Sequence, residues 1–454
     1  MRDRRLIGSS LGSARPAWLR EWAGDSALLL FSQVTATMAT SVLAILIARS
    51  LGPHDWGIFS GFLGLSLALA VFAEFGLSAW VLRELSHLAT RADIEVEEVK
   101  RRAGQLVGGG FLLTSLLGAA FIVGTVAAAI VLALNFELSV SVVSLVAYSG
   151  VRSGSTSLEA FFRSRRKLRR VVAALLIEKG VLLILIALLL VAGAGLIGVA
   201  VAYPIAGLIR LLVNALNILS RNELTFSRTR LTDLRYVARG SMPFALNRAS
   251  LNVVPRLDAF LLAALSPIAA GYFALGNRIL GPALILPMVI SSTLYPFLAR
   301  ESRNSTAGWA VVGLLTAVGV ALAGVGVLVA PFLVPLLFGS EYRDAVPVVQ
   351  VMLFAMPFVF GANPLLAHVY SSRREGRALA VGLAAASVVG TGAILAGQLI
   401  NGPIAAASGY LFRQALFAGT LVVAARLPAP PISGSHPEGQ GIPEFSQAAT
   451  RSAP

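Results

Sequence analysis

Residues 163–192 read RSRRKLRRVVAALLIEKGVLLILIALLLVA, and the change of character at position 171 decides the fold. Six of the first eight residues are basic: Arg163, Arg165, Arg166, Lys167, Arg169 and Arg170. From Val171 to Ala192 the segment is apolar, interrupted by Glu178, Lys179 and Gly180. As an α-helix at about 1.5 Å per residue it reaches roughly 33 Å, the thickness of a bilayer's hydrocarbon core. A basic cluster at the end of a membrane-length helix marks a loop retained on the cytoplasmic side.

The same alternation recurs outward in both directions. Before it, Ser26 to Ala48, Ile58 to Leu82, Gly104 to Leu134 and Leu138 to Phe162 read as spans; after it come Leu196 to Leu219, Val237 to Ala264, Ile268 to Leu298, Ala307 to Leu328, Val346 to Tyr370, Ala378 to Ile400 and Pro403 to Ala425. Basic residues crowd alternate connections, namely Arg83 to Arg102, Arg163 to Arg170, Arg221 to Arg235, Ala299 to Thr306 and Ser371 to Arg377, whereas the short opposite loops hold only Arg49 and Arg343. This pattern predicts a multi-pass protein of the cytoplasmic (inner) membrane with both termini cytoplasmic.

Composition agrees. The chain is 56% hydrophobic and 13% charged, where soluble domains carry about a quarter charged residues. Its net charge of +15 is dispersed through loops rather than gathered on one basic face, so no nucleic acid is expected as a partner. There is no cysteine, and His54, His87, His368 and His436 lack metal-ligand spacing. No Gly-Lys-Ser/Thr phosphate loop is present and no outer loop is large enough for a catalytic domain. We expect no cofactor and no enzymatic activity.

The expected fold class is an all-α polytopic membrane protein with about 12 transmembrane helices in two six-helix lobes around a central cavity. The organisation follows as a cytoplasmic leader (1–25), an N-terminal lobe (26–219), an inter-lobe linker (220–236), a C-terminal lobe (237–425) and a tail (426–454) rich in Pro, Gly, Ser and Gln that predicts disorder. Thr90 to Arg102 reads either as a short interfacial helix or as a solvated linker.

An ungapped comparison of the exits of spans one and seven places Leu51, Pro53, Gly57 and Phe59 on Leu265, Pro267, Gly271 and Phe273. That offset is the distance between the first spans of two six-span halves. Because six is even, such halves cross in the same direction and are related by an axis along the membrane normal. Pro204, Pro255, Pro282, Pro287 and Pro357 lie within spans, as expected of helices that bend around a pathway.

Ionisable residues at membrane depth cost roughly 2.5 to 3.5 kcal/mol each at a helix centre. Here they are Glu74, Arg152, Glu159, Glu178, Lys179, Arg210, Arg248, Arg256, Asp258, Arg278 and Arg413, seven bases against four acids. The excess requires water or an anionic ligand. We therefore assign Arg152, Arg210, Arg248, Arg256, Arg278 and Arg413 to an anion-binding substrate cavity, since guanidinium forks suit phosphate and carboxylate. Asp258, Glu74, Glu159, Glu178 and Lys179 are candidates for ion coupling or structural pairing.

Leu51-Gly52-Pro53 with Trp56-Gly57, Phe75-Gly76-Leu77 and Arg83-Glu84, then Leu257-Asp258, Gly271-Tyr272, Leu294-Tyr295-Pro296 and Leu337-Phe338-Gly339 with Tyr342 and Ala345, follow one another in a familiar order. Over about residues 25 to 425 the chain resembles the polysaccharide-biosynthesis flippases of the multidrug/oligosaccharidyl-lipid/polysaccharide exporter superfamily. The resemblance implies alternating access by two lobes that move a polyprenyl-pyrophosphate-linked oligosaccharide across the membrane, driven by an ion gradient or membrane potential. It implies a lipid-linked anionic glycan and membrane lipids as partners, with a polysaccharide polymerase and glycosyltransferases acting beside it. A drug or organic-cation antiporter of the same fold is the alternative, and a membrane glycan polymerase or ligase the third.

Overall fold

The computed structural model describes residues 17–90, 95–220, 224, 231–298, 306–371 and 377–426. These are almost entirely helical, with no strand among the described residues. The N-terminal half comprises α1 (Ala17–Glu74), α2 (Leu77–Thr90), α3 (Val96–Val131), α4 (Phe136–Ser164), α5 (Leu168–Val191) and α6 (Gly195–Leu219). The C-terminal half comprises α7 (Leu231–Asn252), α8 (Val254–Leu265), α9 (Pro267–Ala283), α10 (Ile285–Leu298), α11 (Thr306–Phe338), a 3-10 turn (Ser340–Ala345), α12 (Val346–Leu353), α13 (Met356–Ser371), α14 (Arg377–Asn401) and α15 (Pro403–Arg426).

These elements form twelve membrane-length rods, the expected architecture. α1 supplies two, because Gly52 (φ 75°, ψ 173°) takes a left-handed conformation and Pro53 restarts the helix beyond it. The pairs α7–α8, α9–α10 and α12–α13 each make one broken rod. Their interruptions lie beside Pro255, Pro282 and Pro287, and Pro357, whereas Pro204 sits inside an uninterrupted α6. By length and hydropathy alone, eight helical stretches suffice to cross a bilayer, and Leu30–Leu88 contains two crossings. The rods outside that set are α4, α7–α8 and α15. They are the ones that carry Arg152 and Glu159, Arg256 and Asp258, and Arg413.

Several expected boundaries move. The second span ends at Glu74 rather than Leu82, because Phe75 and Gly76 both have positive φ and α2 begins anew. α1 starts at Ala17, inside the expected leader, and α7 starts at Leu231, inside the expected linker. Neither reading of Thr90 to Arg102 holds for its second half, because from Val96 it forms the first turns of the long helix α3. Glu97 and Glu98 occupy that first turn, where the helix dipole favours acids. Glu98 pairs with Arg102 (2.6 Å) and Arg101 (2.7 Å), and the Arg102 hydrogen bond in particular holds its carboxyl below the usual range. The expected tail beyond Arg426 lies outside the described residues.

Packing differs between the two ends of the molecule. At the end carrying the short connections, one continuous core joins both halves, with Leu43, Trp56, Phe59 and Tyr203 packed into the same cluster as Phe273, Tyr342, Phe360 and Tyr410. At the Lys/Arg-rich end the buried core divides in two. One is built on Leu77, Trp80, Phe161 and Phe162 with Val237 of α7, the other on Leu365, Val369, Leu383 and Leu421. The lobes therefore share one large core at the first end, while at the other α7 of the C-terminal half packs onto the N-terminal half, with Gly240 against Trp80 and Gly76 against Phe244.

The residues matched by the internal repeat meet at the joined end. A Cβ on Gly57 would overlap the Pro267 carbonyl, and one on Gly271 would overlap the Pro53 carbonyl. Each copy thus seats its glycine on the other copy's proline backbone, the reciprocity expected across a two-fold axis. Phe59 packs on Tyr203 and Phe273 on Tyr410, both with ring centroids 5.6 Å apart. The Tyr342 hydroxyl donates across the lobes to the Ala48 carbonyl at 2.9 Å. Substituting Gly57→Val forces α1 away from α9, an overpacking cost of about 1 to 3 kcal/mol. We expect a lower thermal midpoint in detergent by fluorescence-detected size exclusion, whereas Gly124→Val, with no atom within 4 Å of the added Cβ, leaves the midpoint unchanged.

Candidate functional site

Between the lobes, toward the Lys/Arg-rich end, lies a cavity of about 500 Å³. Both arms of α1 line it, one through Gln33, Thr37, Thr40 and Ser41, the other through Ala70, Val71 and Glu74, with Ser78 of α2 beside the latter. α4 contributes Arg152, Ser153, Thr156, Glu159 and Arg163, α5 contributes Leu175 and Lys179, and α6 contributes Arg210. The C-terminal lobe closes the far wall with Arg256 of α8 and Asn277, Arg278 and Gly281 of α9.

Helical periodicity explains this lining. On α4, Arg152, Thr156, Glu159 and Arg163 follow one another at three- and four-residue steps, which stack on one face. Gln33, Thr37 and Ser41 do the same on α1. The polar stripes turn inward, while Phe31, Val34, Met38, Val42 and Leu46 of α1 remain exposed on its apolar side.

Behind the lining a buried ion cluster ties α4, α5 and α6 together. Arg210 donates from Nε to Glu159 Oε1 at 2.8 Å and from Nη1 to Glu178 Oε2 at 2.6 Å. Glu178 also holds Lys179 (3.2 Å) and accepts from the Tyr148 hydroxyl at 3.0 Å. Asn214 donates to Glu159 Oε1 at 3.1 Å and to Ser155 at 2.9 Å. Glu159 and Glu178 are 1% and 0% exposed, a degree of burial at which a carboxylate requires paired hydrogen-bonded charge. The structure thus brings Glu159, Glu178 and Lys179 into one ion-paired group around Arg210, which lines the cavity and is also its structural centre.

The other expected site residues distribute as follows. Arg152 lines the cavity and donates from Nη1 to the Tyr148 hydroxyl at 3.1 Å. Arg256 lines it and donates to the Leu67 carbonyl of α1 at 3.0 Å. Arg278 lines it from α9, and neither it nor Arg152 has a carboxylate within ion-pair distance among the described residues. Glu74 ends α1 at the cavity wall and accepts from Ser78. The Arg248 side chain lies outside the described residues.

Arg413 corrects the expectation. It does not line the cavity but forms a buried pair with Asp258, which also accepts from Thr391 at 2.6 Å, and its guanidinium lies 5.2 Å from the Tyr410 ring centroid. Asp258 is 1% exposed. Placed within reach of an otherwise uncompensated acid, Arg413 neutralises it, and α8, α14 and α15 are joined through the contact.

Sequence reasoning missed Arg163, assigned to a loop, together with Tyr148, Asn277 and the hydroxyl stripe of α1. Searching the charged spans for polar residues at three- and four-residue steps would have found the α1 and α4 stripes. Removing Arg210 as Arg210→Ala leaves two buried carboxylates without their shared partner, a loss of about 3 to 5 kcal/mol. We expect little folded protein on size exclusion, with partial recovery when Glu159→Gln and Glu178→Gln are added.

Residues 23–302 match the family model described as polysaccharide biosynthesis protein. No curated protein matches the chain by sequence. Among solved structures, the lipid II flippase MurJ in an inward closed conformation superposes with a TM-score of 0.66 at 12% identity, covering 89% of this chain and 87% of that one. An inward-facing multidrug resistance MATE family transporter of the MOP superfamily gives 0.62 at 15% identity, covering 87% and 97%. An outward-facing MATE structure gives 0.52 at 14% identity, covering 88% and 94%. These likenesses establish the fold, and the family match extends over more than half the sequence. The chain is a multi-pass membrane protein that belongs to the polysaccharide biosynthesis protein family.

Proposed function

We propose that the protein is a flippase that moves a polyprenyl-pyrophosphate-linked oligosaccharide or polysaccharide repeat unit across the cytoplasmic membrane by alternating access. The observation that carries this reading is the pair Arg152 and Arg278, guanidiniums from opposite lobes that face one cavity without an ion-paired carboxylate among the described residues. A permanently charged fork in a low-dielectric cleft suits a phosphate oxygen pair, and a diphosphate presents enough charge to satisfy both lobes at once. Hydroxyl and amide groups of Gln33, Thr37, Thr40, Thr156 and Asn277 supply the neutral hydrogen bonds that sugar hydroxyls need.

Direction follows from charge. The cavity lies toward the Lys/Arg-rich connections, which the positive-inside rule assigns to the cytoplasm, so the state described receives substrate from the inner leaflet. The joined end, with the Gly57 and Gly271 contact, then faces outward and parts when the lobes rock. Membership of the polysaccharide biosynthesis family supports the glycan class of cargo. A drug or organic-cation antiporter would need the cavity's charge excess to have the opposite sign.

Transport in proteoliposomes tests the reading. The expected outcome is translocation of a fluorescent polyprenyl-pyrophosphate oligosaccharide that falls roughly tenfold in Arg152→Ala and in Arg278→Ala, the scale of one charge-assisted contact. Translocation of an organic cation such as ethidium with no movement of the lipid-linked glycan would overturn it.

A further inference from the structure

Arg152 is kept from the nearest buried acid by a single hydroxyl. Its Nη1 donates to Tyr148 Oη at 3.1 Å, and Tyr148 in turn donates to Glu178 Oε1 at 3.0 Å. Both hydrogen-bonding roles of the phenol are therefore specified: its proton goes to the carboxylate and its lone pair to the guanidinium. Tyr148 and Arg152 stand one helical turn apart on α4, so without the intervening oxygen the guanidinium would be free to fold back onto Glu178.

The tyrosine is held rigidly. It is 2% exposed, its ring packs edge-on against Tyr203 at 5.3 Å and 77°, and Gly207 of α6 leaves room that an added Cβ would narrow to 3.0 Å from the ring. Glu178 is already occupied by Arg210 on Oε2 and Lys179 on Oε1. A second arginine there would overcompensate the acid and withdraw positive charge from the cavity wall.

We propose that Tyr148 is a positioning residue, a hydroxyl spacer that separates the Arg152 guanidinium from the Glu159–Arg210–Glu178 cluster and so keeps its charge available to a phosphate-bearing ligand. This rests on the anionic-substrate reading above and extends it to a residue that does not line the cavity. The spacer makes a distinction that overall charge does not. The net charge of the site is the same with or without the hydroxyl, and only its availability changes.

Binding of inorganic pyrophosphate to the full chain in nanodiscs, measured calorimetrically, tests the assignment. Arg152→Ala weakens binding roughly tenfold, and Tyr148→Phe weakens it by a similar factor although it removes no charge. Adding Arg152→Ala to Tyr148→Phe costs little more. Adding Glu178→Gln to Tyr148→Phe restores binding to at least the wild-type level, because the competitor is gone while Arg210 keeps Glu159. A merely structural role for the tyrosine would not be relieved in this way. Wild-type affinity in Tyr148→Phe, or a Tyr148→Phe/Glu178→Gln protein that still binds weakly, overturns the proposal while leaving the anion site standing. If Tyr148→Phe alone is not monodisperse, the Tyr148→Phe/Glu178→Gln protein carries the test by the same criterion. Absence of pyrophosphate binding by the wild type, with Arg152→Ala indistinguishable from it, would instead overturn the anionic-substrate reading itself.

Discussion

A charged group in the apolar middle of a membrane protein must reach an opposite charge, water or a ligand, and this requirement sorts the described intramembrane arginines. Arg210 is captured by Glu159 and Glu178, and Arg413 by Asp258. Once these pairs form, Arg152 and Arg278 stand in the cavity wall with no carboxylate within ion-pair distance among the described residues, whereas Lys179 is held by Glu178 and Arg163 lies 3.7 Å from Glu159. The paired arginines organise helix packing within each lobe, while the others define the electrostatic character of the space between the lobes. Both uses arise from the same desolvation cost, satisfied in one case within the protein and left open in the other.

That space lies beyond the large core that the two lobes share. Shared packing demands close backbone approach, and the reciprocal seating of Gly57 and Gly271 on proline carbonyls provides it where the lobes meet. At the other end the core divides, one part joining α7 to the N-terminal half and the other lying within the C-terminal half. Under the alternating-access reading proposed above, the lobes rock about the shared core and the α7 contacts at the other end repack. The polar stripes of α1 and α4 point into the opening for the same reason that the apolar residues of α1 point outward: one face meets water and the other meets lipid.

Most of the fold was legible in the sequence because apolar length and basic punctuation are strong signals. The bounds of α4, α5, α6, α14 and α15 fall within a few residues of expectation. Breaks were less legible. Pro255 and Pro357 mark real interruptions and Pro204 does not, since a proline's missing hydrogen bond is tolerated or amplified according to the packing around it. The turn at Phe75–Gly76 leaves no hydropathy signal at all. For the site, the inventory of intramembrane charges was readable but its partition was not. Nothing in sequence spacing brings Arg413 to Asp258, separated by 155 residues, or Arg210 to Glu159, separated by 51.

Fold alone does not choose between the cargoes open to such a protein, since superposable structures include both a multidrug transporter and a lipid II flippase. The choice must come from the chemistry of the cleft, and charge sign is the discriminating quantity. An organic cation in this cavity would lie beside Arg152 and Arg278, with Glu74 at the wall, while Glu159 and Glu178 are already hydrogen-bonded to Arg210 and nearly inaccessible. Under the flippase reading proposed above, the cost of breaking the buried cluster opposes a cationic cargo while Arg152 and Arg278 favour an anionic one, so that specificity would arise from the two effects together rather than from attraction alone.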